Sequence, residues 1–382
     1  MKLAVTGSAM VTSVGEDKHR SFEALCAGQS GRKPLQSFDA DRFNVSYAYE
    51  IADRPNRQDR VLRASEMLAK AVAAAVEEAR LSVRDAAIGI IVGTGLRELR
   101  SLELFWTKGE PLTIDQLHFE RILNETLGSA LPVITVSNAC SASSFALALA
   151  EDFISDGTFS HVIVGGCDAI TESMFGLLDR VNPLHPDRVQ PFERDRKGVL
   201  MGDGAAAVVV ESVERAAARQ ADLLAVVRSV GTSCDAIHET APDTGGLVRA
   251  IRDAYARGGV AANEVDLAMV HGTGTSLNDE AEAQAMHEAM GEAANAVRVS
   301  ALKSMTGHTS GASGLVGVVT AIEALNNGVV PPTIGLVNVM DGARTMNFVR
   351  EGWNSLFSGT IAQVNAFGFG GVNAVVILEK EA

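Results

Sequence analysis

The chain has 382 residues, 47% apolar and 21% charged, enough for a large core in one α/β unit with two halves or in two ordinary domains. A formal net charge of −14 argues against coating nucleic acid or an anionic membrane surface. No apolar run reaches the roughly 18 residues needed to cross a bilayer, and MKLAVTGSAMVTSVG lacks the continuous apolar stretch of a signal peptide.

In chain order, strands are predicted at Lys2–Thr6, Ala87–Val92, Val133–Val136, His161–Val164, Ala205–Glu211, Leu224–Val230, Leu267–Val270, Arg298–Ser300, Gln363–Asn365 and Ala374–Leu378. Each is short, rich in β-branched residues and bounded by glycine or polar turns. Helical patterns lie between them at Ala64–Arg80, Ser143–Ile154, Gly246–Arg257, Glu280–Met290 and Gly314–Asn326. Such alternation predicts a largely parallel, helix-covered sheet system. Two stretches resemble each other: VITVSNACSASSFALALAEDFISDG from Val133 and VRVSALKSMTGHTSGASGLVGVVTAIEALNNG from Val297. Both run strand, small-residue loop, Ala-rich helix, glycine stop. They predict an internally duplicated fold with one reactive loop from each half. The seam is placed near Ser212–Asp222, where a charged, Ala-rich helix (ERAAARQAD) separates two strands, dividing the chain into 1–213 and 214–382.

The cysteines are Cys26, Cys140, Cys167 and Cys234. They form no C-x-x-C pair and suit neither a zinc site nor a disulfide framework, so no metal is expected and a reducing cytoplasm is the simplest compartment. Cys140 sits where the strand VITVS breaks into a helix of small residues. Free N–H groups and the helix dipole there favour a thiolate and can hold an oxyanion. A buried structural thiol is the alternative for this residue taken alone.

His271 directly follows an apolar strand in MVHGTGTSLNDEAEA, at the kind of strand end where α/β proteins gather ligands. Thr273 and Thr275 offer hydroxyls to an amide-bearing chain, though a glycine-rich turn with a capping histidine also fits. In SALKSMTGHTSGASG, Lys303 lies five residues before His308, and a nearby lysine favours the neutral imidazole. A neutral imidazole donates to a developing enolate or accepts a proton. One cysteine and two histidines on three loops suit acyl-thioester chemistry. NAFGFGGVNAVVIL reads as strand, glycine turn, strand, with Phe367 and Phe369 as gate or core; it opens no helix and is no dinucleotide site.

NACSAS, HGTGT, KSMTGH and FGFGG, in this order, resemble the β-ketoacyl-[acyl-carrier-protein] synthases, condensing enzymes of the thiolase fold. QPFERDRKGVLMGDGAA and SCDAIHETAPD extend the resemblance over nearly the whole chain. It implies a thiolase-like five-layered αβαβα fold and usually a homodimer. It implies Cys140 as acyl-accepting nucleophile, and His271 and His308 as the pair that assists malonyl decarboxylation and stabilises the enolate. Lys303 would orient the His308 loop, Asp279 would support the site, and Thr273 and Thr275 would contact the phosphopantetheine arm. The N–H groups of Cys140 and Phe369 would form the oxyanion hole, with Phe369 also the gate. No cofactor is expected beyond the phosphopantetheine that arrives on acyl carrier protein. Arg54, Arg57, Arg60 and Arg63 stand where the family often docks that acidic partner; a solvated charge run is the alternative.

The chain departs from the family pattern at a shortened Leu96–Leu131 segment, at Gly317 in place of a common glutamate, and at Asn138 and Val372 in place of threonines. These fit a secondary-metabolite enzyme as readily as a fatty-acid one. Two alternatives on the same scaffold are a non-elongating acyltransferase or cyclase, and a chain-length-determining partner subunit in a heterodimer. A thiolase proper would need a second catalytic cysteine near FGFGG, and Cys234 lies outside that loop.

Overall fold

The computed structural model describes residues 2–54, 59–84, 87–182, 184–352 and 356–381. In the first part of the chain come β1 (Leu3–Thr12), α1 (Lys18–Cys26), the small pair β2 (Lys33–Pro34) and β3 (Tyr47–Ala48), and α2 (Arg63–Glu78). β4 (Ile88–Gly93), α3 (Leu99–Lys108), α4 (Glu120–Leu127), β5 (Val133–Val136), α5 (Ala142–Ser155), β6 (His161–Asp168), α6 (Glu172–Val181), β7 (Gly204–Ser212) and α7 (Val213–Ala218) follow. The remainder holds β8 (Ala225–Cys234), α8 (Thr244–Gly258), β9 (Leu267–Met269), α9 (Ser276–Met290), β10 (Arg298–Ser300), α10 (Lys303–Thr306) and α11 (Ser313–Asn327). It ends with β11 (Asn347–Phe348), β12 (Ile361–Gly368) and β13 (Val372–Glu379). No helix among the described residues is long and apolar enough to cross a membrane.

The main sheet has the order β11-β10-β9-β12-β13-β8-β1-β7-β6-β4-β5. Outward from its centre, one flank runs β1-β7-β6-β4-β5 and the other β8-β13-β12-β9-β10. Each flank repeats one pattern: first strand, fifth, fourth, second, third. The pairings repeat too. The two inner ladders of each flank are antiparallel and the two outer ones parallel. The sheet is therefore mixed rather than largely parallel as expected, because β6 and β12 are each followed by an antiparallel neighbour instead of a crossover to a parallel one. The flanks join through three residue pairs, Leu3↔Val227, Ala4↔Val226 and Val5↔Ala225.

Side-chain alternation along the strands builds separate cores on the two faces. Ile91, Val164, Val208, Val364 and Val376 point into a central core with α5 and α11. Both helices are rich in small and branched apolar residues all round and pack against strands of both flanks, so they form a middle layer. The opposite strand faces supply outer cores. Ile90, Val92, Ile163 and Val209 pack under α2, while Ala268, Val375 and Ile377 pack under α8 and α9. Five layers result: helices, strands, buried helices, strands, helices.

The two similar stretches occupy equivalent places. β5 leads through a 3₁₀ turn at Ala139–Ser141 into α5, and the loop after β10 ends in a 3₁₀ turn at Ser310–Ala312 that enters α11. Ala139 and Ser310, the opening residues of the two turns, share a left-handed φ of 48°. Both buried helices thus present their first turns toward one another across the middle of the molecule.

Candidate active site

Cys140 lies in the first of these turns. Gly93 of β4 lets the start of α5 approach: a Cβ there would sit 2.3 Å from the Ala142 carbonyl carbon. The Ser141 hydroxyl donates to the carbonyls of Asn138 and Val372, each at 2.9 Å, which fixes the turn against β13. The backbone N–H groups of Cys140 and Phe369 lie near enough to the sulfur to favour its charged form. Phe369 opens a turn in which Gly370 and Gly371 have φ of 82° and 72°, and a Cβ on Gly371 would lie 2.5 Å from that of Asp235. Burial nevertheless pushes the Cys140 thiol up to about 11, against the opposing influence of Lys303 and the two N–H groups. The N–H groups act in the expected direction, toward thiolate, but in the resting site desolvation outweighs them.

His308 follows Gly307, whose φ of 66° and contact with the Tyr49 ring leave no room for a side chain. The His308 N–H donates to the Leu200 carbonyl at 2.8 Å, and its carbonyl accepts from Gly202 N–H at 3.0 Å. That is the structural use of the VLMGDG stretch. On the ring, Nδ1 accepts from the Ser310 N–H at 3.2 Å, so Nε2 carries the proton and faces Cys140 Sγ at 3.0 Å.

His271 stands at the end of β9. Its N–H and that of Gly272 donate to the two oxygens of Glu282, at 2.7 and 2.8 Å. Lys303 donates to the His271 carbonyl and approaches His271 Nδ1 at 3.3 Å. This leaves Nε2 of His271 as the protonated nitrogen too. Lys303 thus touches His271, where the resemblance had it orienting the His308 loop. Burial and then the charge of Lys303 hold both imidazoles well below their ordinary pKa, so both are neutral. The rings meet edge to face, with centroids 5.4 Å apart, and the Phe367 ring lies 5.9 Å from His271. Phe367 is a buried wall residue, while Phe369 is 42% exposed.

Ligand atoms of Cys140, His271 and His308 all lie within 4.8 Å of one another. A soft cation could be bridged at that spacing. The donor set fits one poorly, since both Nε2 atoms carry protons and Lys303 adds a buried positive charge beside them. The same two N–H groups suit an enolate oxygen instead.

Asp279 accepts from the N–H groups of Phe192 at 2.8 Å and Gly274 at 3.2 Å, and Arg196 lies 3.5 Å away. Burial raises its carboxyl to about 6. Thr273 and Thr275 share a hydroxyl hydrogen bond at 2.9 Å, and Thr275 also caps α9. The four arginines fare differently. Arg54 and Arg63 are buried on Asp203, at 3.0 and 2.9 Å, and Arg54 also meets Asp59, so neither presents a docking surface. They balance a buried carboxylate at the heart of the first half. Arg60 is partly exposed but engaged by Asp53 and Glu66, and Arg57 lies outside the described residues.

Two site residues were not singled out from the sequence. Glu282 has one visible signal: it follows Asp279 by three on α9, so both acids share a helix face, and that face proves to be buried. Asp168, at the end of β6, had none. Its carboxylate accepts from Thr94 Oγ1 at 2.7 Å, Gly95 and Leu96 N–H at 2.8 Å, and Gly311 N–H at 2.6 Å. It thereby ties the first half to the loop that carries His308.

Comparison with known proteins agrees with this geometry. Residues 1–216 match the family "Beta-ketoacyl synthase, N-terminal domain" and residues 224–337 match "Beta-ketoacyl synthase, C-terminal domain". The chain is 30% identical to the 3-oxoacyl-[acyl-carrier-protein] synthase 2 of Coxiella burnetii, over 99% of this chain and 98% of that protein. It is 37% identical to nodulation protein E of Rhizobium meliloti, over 67% of this chain and 63% of that protein. Among solved structures, the ishigamide ketosynthase/chain length factor superposes with a TM-score of 0.87 at 31% identity, covering 100% of this chain and 99% of that one. With a thiol and two imidazoles drawn together by a duplicated five-layered fold, and with both family halves matched in order, this chain belongs to the β-ketoacyl synthase family.

Proposed function

We propose that this protein is a β-ketoacyl-acyl-carrier-protein synthase that condenses an acyl group held on Cys140 with a malonyl extender. The observation that carries this reading is the Cys140 sulfur, 3.0 Å from His308 Nε2, with His271 completing the cluster and the backbone N–H groups of Cys140 and Phe369 near the sulfur.

In the first half-reaction the Cys140 sulfur attacks an acyl thioester presented on a phosphopantetheine arm. The N–H groups of Cys140 and Phe369 hold the tetrahedral oxyanion. The pantetheine sulfur leaves and takes up the proton the thiol loses. In the second, malonyl thioester loses carbon dioxide, and the electron pair of the broken C–C bond becomes an enolate. Nε2–H of His271 and of His308 donate to the enolate oxygen. The enolate carbon then attacks the Cys140 thioester carbonyl, a C–C bond forms, and the Cys140 thiolate leaves. One solvent proton restores the thiol on each turnover.

Acyl carrier protein is the proposed donor of both thioesters, as the name of the Coxiella burnetii relative suggests. Thr273 and Thr275 are the proposed contacts for the arm it carries. A homodimer in the cytoplasm is the simplest setting. A heterodimer is the second reading, favoured by the likeness to a ketosynthase/chain length factor, and the retained Cys140 makes this chain its catalytic member.

The test is intact-protein mass spectrometry after exposure to acyl-carrier-protein thioesters, followed by malonyl-carrier protein. Wild type gains one acyl mass and then loses it with release of carbon dioxide and a β-ketoacyl product. Cys140→Ala gains none. Loading that persists in Cys140→Ala removes the proposal.

A further inference from the structure

β12 breaks its own pattern. Ala362 and Val364 face the central core, while Ile361, Gln363, Asn365 and Phe367 alternate toward α8 and α9. That outer face packs into an apolar layer, yet its two middle positions are amides. Gln363 is 0% exposed and Asn365 4%. Burying amides among apolar side chains is costly unless every polar atom finds a partner.

Here they form one directed chain. The Tyr255 hydroxyl on α8 donates to Gln363 Oε1. Gln363 Nε2 donates to Asn365 Oδ1 at 2.7 Å, and Asn365 Nδ2 donates to Glu282 Oε1 at 3.0 Å. Glu282 in turn accepts from the N–H groups of His271 and Gly272. Three elements of two layers are linked: the outer helix α8, the strand β12, and the outer helix α9, whose carboxylate grips the His271 loop. These three side-chain donations run toward Glu282, and both amide nitrogens also reach the Met286 sulfur on α9, at 3.4 and 3.6 Å. Burial raises the Glu282 carboxyl, and these donors favour its charged form against that; one oxygen is shared between Asn365 and His271, the other between Gly272 and, at 3.5 Å, Asn278.

We infer that Tyr255, Gln363 and Asn365 are positioning residues for the condensing reaction, setting the place of His271 through Glu282. This rests on the function proposed above. The chain ends on the His271 loop, whereas the hydrogen bond to Cys140 Sγ comes from His308. Its loss therefore falls on enolate formation and spares acyl transfer to the thiol. A merely structural amide pair would slow both half-reactions alike.

The experiment measures the two separately, acyl loading by intact mass and malonyl decarboxylation by released carbon dioxide, for wild type, Gln363→Leu and Tyr255→Phe, with thermal unfolding alongside. In Gln363→Leu, decarboxylation is expected to fall about tenfold or more while loading stays within about twofold. Tyr255→Phe, which keeps the ring and removes one donor, shifts the same ratio by about threefold. An unchanged ratio of decarboxylation to loading in folded Gln363→Leu overturns the inference. Should that variant fail to fold, an unchanged ratio in Tyr255→Phe overturns it. If wild type neither loads nor decarboxylates, the function reading itself fails, a result distinct from either.

Discussion

Lys303 sits where its charge reaches the two histidines and the sulfur. Burial lowers its ammonium to about 8, against the opposing pull of Glu282, Cys140 and Asp279. Below that pH it is charged and holds His271 Nδ1 as an acceptor, which keeps the proton on Nε2. Above it the charge is lost and the tautomer is free to exchange. Under the proposed reaction, decarboxylation should therefore decline as pH rises through about 8. Lys303→Met should decarboxylate at least about tenfold more slowly and lack that limb; a pH–rate profile of carbon dioxide release checks both. Much at this scale was legible in sequence. Cys140, His271 and His308 each sit in a short contiguous motif of small residues, which marks a strand end and a reactive loop. The contact of Lys303 with His271 was not legible, though its charge also bears on His308 as expected. Lys303 precedes His308 by five residues, but His271 lies across a parallel strand pair, β9 and β10, and only that pairing brings the two together.

At the scale of elements, the ten predicted strands and six predicted helices, the seam helix α7 among them, all occur, with ends moved by a few residues. The helices missed, α1, α3, α4, α6 and α10, are short, from 4 to 10 residues, and give periodicity too few turns to register. The arginine segment before α2 misleads for a different reason. A run of arginines looks solvent-facing until its acids are known, and Asp203 is some 140 residues away in sequence. Burial alone would raise the Asp203 carboxyl, but Arg54 and Arg63 overcome it and hold it well below the usual range. Its folded pKa is thus depressed. The stability it adds is present above the ordinary carboxylate pKa and is lost as pH falls below it. Asp203→Asn leaves two buried arginines underpaired and should cost about 3–5 kcal/mol at neutral pH, read from denaturant unfolding. Its loss relative to wild type should shrink in acid.

For the whole molecule, the repeated strand order explains why a thiol and two imidazoles far apart in sequence converge. Each half contributes a buried helix to the middle layer, and the turns that start those helices face each other. The similarity of the two stretches was readable because helix and turn were both repeated. The mixed sheet was not, since strand direction depends on which neighbour a strand joins after its crossover. Asp168 and the amides of β12 were invisible for a related reason: their meaning lies in partners supplied by other layers.

The twin turns also differ at their middle residue. Cys140 is the middle residue of the first, and its counterpart in the second is Gly311. A Cβ on Gly311 would lie 2.5 Å from the Gly95 nitrogen, and its own N–H is given to Asp168. The symmetry-related berth for a sulfur is thus walled shut, and the protein is a one-passenger machine by construction. Gly311→Cys should not bring a second covalent load; mass spectrometry should find at most one acyl adduct per chain, with loading slowed because the wedge displaces the neighbouring imidazole.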